Sequence, residues 1–182
     1  MLSKEEKSSL IELVRDTIRA RLNEQPLPHF NPATERLSQN SGAFVTLHKK
    51  GALRGCIGYV EAIKPLYQSV QDMALAAAFQ DPRFPPLTEN ELDDIDIEIS
   101  VMSPIRRIDG VDEIKVGTHG IIIKRGFYQG LLLPQVATEQ GWDRDTFLQH
   151  SCYKAGLDGD CWKKPDTEIY VFSAEVFSKK EL

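Results

Sequence analysis

The stretch LRGCIG, residues 53–58, places a guanidinium, a thiol and two glycines within six residues. It lies in a run that reads as a β-strand. On a strand, Arg54, Cys56 and Gly58 share one face, while Gly55 and Ile57 share the other. A cation beside Cys56 stabilises the thiolate, the reactive form of that side chain. Gly55 and Gly58 allow a ligand or a second backbone to approach closely. One reading is a thiolate in a small concave site. The other is a cysteine packed in a hairpin, with glycines accommodating a bulge or a sheet crossing. Free cysteine is among the most buried residue types, which makes packing the commoner outcome.

Other candidates are scattered along the chain. Arg83 stands in DPRF, among prolines that would present it on a rigid loop, or pair it with Asp81. Glu98 lies on the polar face of an alternating segment; if that face is covered, its carboxylate needs a partner such as an arginine, and if not, it is simply solvated, the commoner outcome. His119 precedes a glycine at the entry to a strand, where an imidazole serves either as acid or base or as a backbone-bonded structural group. Trp142 and Trp162 read as packing anchors. The chain carries no Walker A, Rossmann fingerprint, nucleophile elbow or HExxH.

These residues need elements to hold them. Residues 3–24 read as a helix, with Leu10, Leu13, Val14, Ile18 and Leu22 at three-and-four spacing and Ser3 as its cap. Residues 23–42 contain three prolines and several turn formers and read as an irregular arm. Residues 44–48 and 53–60 form a hairpin about the turn KKGA. Pro65 opens a second helix with Leu66, Val70, Met73, Ala74 and Ala77 in its stripe. Thr88 and Glu91 have capping-box spacing. Ile95, Ile97, Ile99 and Val101 alternate with Asp96, Glu98 and Ser100, the clearest strand in the chain. MSPIRRI continues as an edge strand, and VDEIKVG is a helical turn. Residues 120–125 and 130–133 form a second hairpin, residues 144–155 a helix stopped by Gly156, and residues 168–177 a last strand. Residues 157–166 read as a loop. The order has no βαβ repeat. It predicts an α+β fold with a mainly antiparallel sheet flanked by helices, in two subdomains sharing one chain.

The 182 residues suffice for one domain or two small subdomains, with enough buried surface to need no disulfide or metal. A net charge of −5 argues against a dedicated nucleic-acid binder. No leader pattern or membrane-spanning apolar run is present, which predicts a cytoplasmic protein. Three widely spaced cysteines, Cys56, Cys152 and Cys161, make a poor disulfide framework and read as three thiols. None forms a CxxC, and His150 and Cys152 diverge on a helix, so no metal and no cofactor are expected.

The chain resembles the AMMECR family, whose hallmark is LRGCIG. GAFVTL, AAAFQDPRFPPL, IEISVMSPI, GTHGIII, GLLLPQVATEQGW and FLQHSCYKAGL match as well. The resemblance runs from about residue 42 to the C-terminus and implies one AMMECR-type domain over residues 1–182, with an antiparallel sheet flanked by helices. Some relatives belong to the AmmeMemoRadiSam system, which implies Memo-like and radical-SAM proteins as partners in a modification or metabolic pathway. The chain has no three-cysteine cluster for an iron–sulfur centre, so it would not be the radical enzyme. Arg83, Glu98, His119 and Gln135 lie in the matching segments beside the hallmark, without roles attached. Two readings follow. In one, Cys56 is a nucleophile, Arg54, Gly55, Gly58, Arg83 and Gln135 bind the substrate, and His119 or Glu98 moves protons. In the other, the chain is a protein-binding or adaptor module. Nucleic-acid regulation is a weaker third.

Overall fold

The computed structural model describes residues 1–181. The described residues divide into two compact units, residues 1–102 with 175–181 and residues 103–174. The strand pairs described below are antiparallel.

The first unit opens with helix α1, Lys4–Leu22. Ser3 and Glu6 form a capping box at its start, and Leu10, Leu13, Val14 and Ile18 face inward. Strand β1, Ala43–Lys49, pairs with β2, Ala52–Tyr59, on one side and with β3, Ile95–Met102, on the other. Helix α3, Leu66–Phe79, follows Pro65 and buries Leu66, Val70, Ala74 and Ala77. The core of this unit joins α1, α3 and the inward residues Val45, Leu47, Ile97 and Ile99. The arm expected to be irregular contains a four-residue helix, α2, Glu35–Ser38, whose Leu37 is buried. Burial of that one side chain outweighs the turn-forming character of its neighbours.

In the second unit, β5, His119–Arg125, pairs with β6, Tyr128–Leu132, and with residues 168–173 of β7, Glu168–Ser178, whose residues from 175 on belong to the first unit. Strand β4, Arg106–Ile108, pairs with β7 as well. Helix α5, Arg144–Lys154, is capped by Asp143, whose carboxylate accepts the Thr146 N–H. A short helix, α4, Pro134–Glu139, stands where the sequence reading placed no element. Trp142 stacks on His150 with ring centroids 3.9 Å apart, as a packing anchor does.

One expectation is overturned here. Cys152 and Cys161 are joined in a disulfide, so the chain carries one bridge and one free thiol rather than three thiols. Both sulfurs lie in the core with Phe147 and Leu148. The spacing of nine residues is short, and the turn after α5 brings its two ends together. Among the described residues, no helix is long and apolar enough to cross a membrane.

Candidate functional site

Cys56 sits on β2, the outer strand of the β2–β1–β3 arrangement. The hairpin turns through Lys50 and Gly51, with φ of 52° and 81°. Two positive φ values in a two-residue loop match the twist of the flanking strands, and glycine adopts its share without strain. Leu47 then faces Gly55, whereas His48 faces Leu53, so Arg54 is the unpaired extra residue of a bulge. Beyond the bulge, Thr46 faces Cys56 on one side and Glu98 on the other. Directly opposed residues point to the same face. Cys56, Thr46 and Glu98 therefore form a row across three strands. The Thr46 hydroxyl donates to Cys56 Sγ at 3.2 Å. Cys56 is half-buried and is the free cysteine of the chain.

The two glycines of the motif are occupied by the protein itself. A Cβ on Gly55 would lie 2.1 Å from the Ala77 carbonyl oxygen of α3. A Cβ on Gly58 would lie 2.2 Å from the Phe44 ring. The close approach expected at these positions is made by a helix backbone and an aromatic side chain. This leaves no room for a substrate at Gly55. It also fixes the faces: Gly55 looks toward α3, so Cys56 looks away from it.

Arg54 does not serve the thiol. Because the bulge displaces it, its guanidinium reaches Glu91 through Nε at 3.1 Å and Nη2 at 3.0 Å, and donates to the Pro85 carbonyl at 3.0 Å. Lys49 joins the same carboxylate at 2.9 Å. The Arg54 hydrogen bonds hold the Glu91 carboxyl well below the usual range, helped by Lys49 and Thr88 and opposed by burial.

Arg83 is the cation that reaches Cys56. Its Nη2 donates to the Cys56 carbonyl at 3.2 Å and to Asp81 Oδ2 at 2.7 Å. The Cys56 N–H donates to that same Asp81 oxygen at 2.9 Å. Asp81 is buried, and its Oδ1 accepts the Arg83 N–H and Nε–H at 3.1 and 2.9 Å. The hydrogen bond from Arg83 holds the Asp81 carboxyl far below its ordinary value against the cost of burial; the two backbone N–H donors add to this. The DPRF loop thus closes the outer edge of β2 at Cys56 and fixes its main chain on both sides. The Asp81–Arg83 pairing, one of the two sequence readings of Arg83, is present.

His119 and Gln135 belong to the second unit. His119 Nδ1 accepts the Lys115 N–H at 3.2 Å. Burial lowers its pKa, as do the charges of Arg106 and Lys115. It is held as a backbone-bonded structural group. Gln135 is exposed on α4, where its main-chain carbonyl accepts from Thr138 Oγ1. Of the residues singled out from the sequence, the first unit assembles Cys56, Arg83 and Glu98 about one stretch of sheet. The sequence reading missed Thr46 and His48, since only the strand register reveals which residues share a row with Cys56. Among the described residues, no group of three or more His, Cys, Asp or Glu is placed to hold a metal ion.

A family model described as AMMECR1 matches residues 11–177. Protein MK0488 of Methanopyrus kandleri is 46% identical over 189 aligned residues, covering 99% of this chain and 91% of its own. A Methanothermobacter thermautotrophicus protein is 46% identical over 97% of this chain and 95% of its own. The crystal structure of PH0010 from Pyrococcus horikoshii, described as an uncharacterized protein, superposes with a TM-score of 0.84. It is 39% identical and covers 98% of this chain and 94% of its own.

Proposed function

The chain belongs to the AMMECR1 family, and on that premise we propose that it is a thiol enzyme, or the thiol-bearing subunit of one, with Cys56 as its reactive group. The observation that carries this reading is the setting of Cys56 Sγ. It is half-buried on the sheet face turned away from α3, and it receives the Thr46 hydroxyl at 3.2 Å. A nucleophile must be accessible, fixed in position and supported in its anionic form. Access comes from the part of the half-buried side chain that solvent reaches. Position comes from Asp81 and Arg83, which grip the N–H and the carbonyl of the same residue. The hydroxyl donor supports the thiolate. The pathway is a protein or metabolite modification in which Memo-like and radical-SAM partners contribute chemistry of their own.

The test is alkylation of the folded protein by iodoacetamide across pH, read by peptide mass spectrometry. Cys152 and Cys161 are bridged, so Cys56 is the labelling site. The reading expects labelling of Cys56 under native conditions and its loss in Cys56→Ala. If Cys56 stays unlabelled until the chain unfolds, it is a packing residue. The function then lies in recognition of a partner.

A further inference from the structure

Resting on the reading of Cys56 as a nucleophile, we propose that His48 is the acid–base group of the same site and that Asp96 positions it, the chemistry being acyl transfer. His48 lies two residues along β1 from Thr46, and therefore on the same face as Thr46 and Cys56. Diagonal neighbours on adjacent strands stand about 7–8 Å apart at Cα. That separation seats a substrate's reacting carbon and leaving group between sulfur and imidazole. The sheet supplies the support as well. Asp96 faces His48 across β1 and β3, just as Glu98 faces Thr46. His48, Asp96, Glu98 and Lys180 line a cavity of about 260 Å³ on this face. Lys180 holds one oxygen of Asp96 at 2.7 Å. The Asp96 carboxyl is held below its ordinary value, first by that bond, with the charges of Lys180 and His48 adding to it. Its second oxygen remains to orient the ring. The imidazole has no hydrogen-bond partner among the described residues, whereas His119 already spends Nδ1 on a backbone N–H.

The Cys56 thiolate forms an Sγ–C bond with an acyl carbon, and the bond to the leaving group breaks. The leaving group takes its proton from the His48 imidazolium. In the second half, water adds to the thioester, gives a proton to neutral His48 and releases the thiolate. The net reaction consumes one water and yields an acid and the protonated leaving group, with no change in oxidation state.

The probe is p-nitrophenyl acetate, followed by nitrophenolate release and by the acetyl adduct on the Cys56 peptide. Iodoacetamide labelling runs in parallel. The inference expects acetyl-Cys56 to form and to decay. His48→Gln should leave Cys56 the site that iodoacetamide labels but slow the decay by about 10²–10⁴-fold, the usual worth of a general base. Asp96→Asn should fall between the two. The groups facing His48 are Asp96, Glu98 and Lys180. The decay rate in the wild type should depend on pH, and His48→Gln should remove that dependence. Should Cys56 fail to label with iodoacetamide, the nucleophile reading falls. Should it label but never acetylate, or should acetyl-Cys56 decay equally fast in His48→Gln and wild type, this inference falls and the nucleophile reading stands.

Discussion

Replacing Gly55 with alanine should destabilise the protein although the change adds a single methyl group. The new Cβ would lie 2.1 Å from the Ala77 carbonyl oxygen and 3.1 Å from its carbon. Both are backbone atoms of α3, so no side chain can swing aside. Ordinary contact requires the two backbones to part by about 1 Å or more. Helix α3 is held by Leu66, Val70, Ala74 and Ala77, all essentially inaccessible to solvent. Moving it opens gaps along that whole stripe. Overpacking of this kind costs about 1–3 kcal/mol. Against it, alanine in a strand interior recovers about 0.5–1 kcal/mol of conformational entropy that glycine loses. The net is a loss of about 1–2 kcal/mol, or a drop in Tm of about 2–8 °C for a chain of this size. Urea unfolding followed by far-UV circular dichroism reads it as a lower midpoint. Gly51→Ala is the control: its φ is +81° and nothing lies within 4 Å, so it tests backbone strain without collision. A midpoint for Gly55→Ala at or above wild type would refute the close-approach argument, as would a smaller loss than in Gly51→Ala.

Three further outcomes follow from the same geometry. Asp81 and Glu91 are both held below their unfolded values of about 3.9 and 4.3. The stability they contribute is present above those values and drains away as pH falls through the folded ones. The urea midpoint should decline from about pH 5 downward, and less steeply in Asp81→Asn with Glu91→Gln; an unchanged slope contradicts the assignment. Arg54→Ala should leave the pH profile of Cys56 alkylation unmoved, because its guanidinium goes to Glu91 and the Pro85 and Pro86 carbonyls. It should nevertheless lower stability by about 1–3 kcal/mol, since it strips partners from a half-buried carboxylate. Arg83→Gln should instead slow that alkylation; equal profiles for the two variants would overturn the distinction. Breaking the Cys152–Cys161 bridge with Cys161→Ser should cost about 2–3 kcal/mol from the short loop it closes. The same loss should appear in wild type under reductant, and a reductant-insensitive Tm would refute it.

The legible parts of the chain were those in which local pattern and burial agree. Ile95, Ile97, Ile99 and Val101 alternate in sequence and are all buried, so β3 was readable residue by residue. The Ser3 cap and the capping-box spacing of Thr88 and Glu91 were equally local signals, and both form. The short helices were not readable, since four or six residues hardly complete a period. For α4, Pro134 at its first position was the signal available. Arg54 failed for a different reason. Strict alternation places it beside Cys56, and a one-residue bulge sends it elsewhere. The row through Thr46, and with it His48, depends on the pairing register between strands. No spacing within one strand encodes that register.

The motif LRGCIG answers to two demands at once, and the alternation of the strand separates them. Gly55 and Ile57 face the core, where one gives α3 its contact distance and the other packs against the buried cluster. Gly58 faces the opposite side and makes room for the Phe44 ring. Those three positions are explained by packing. Arg54 is explained by the bulge and Glu91. Cys56 is the residue left over. Serine or alanine would fit its half-buried position, its backbone bonds to Asp81 and Arg83 do not involve the side chain, and its sulfur stands in a row with a hydroxyl and a carboxylate. A thiol that packing does not require, on a main chain gripped from both sides, is the part of the motif that points to chemistry.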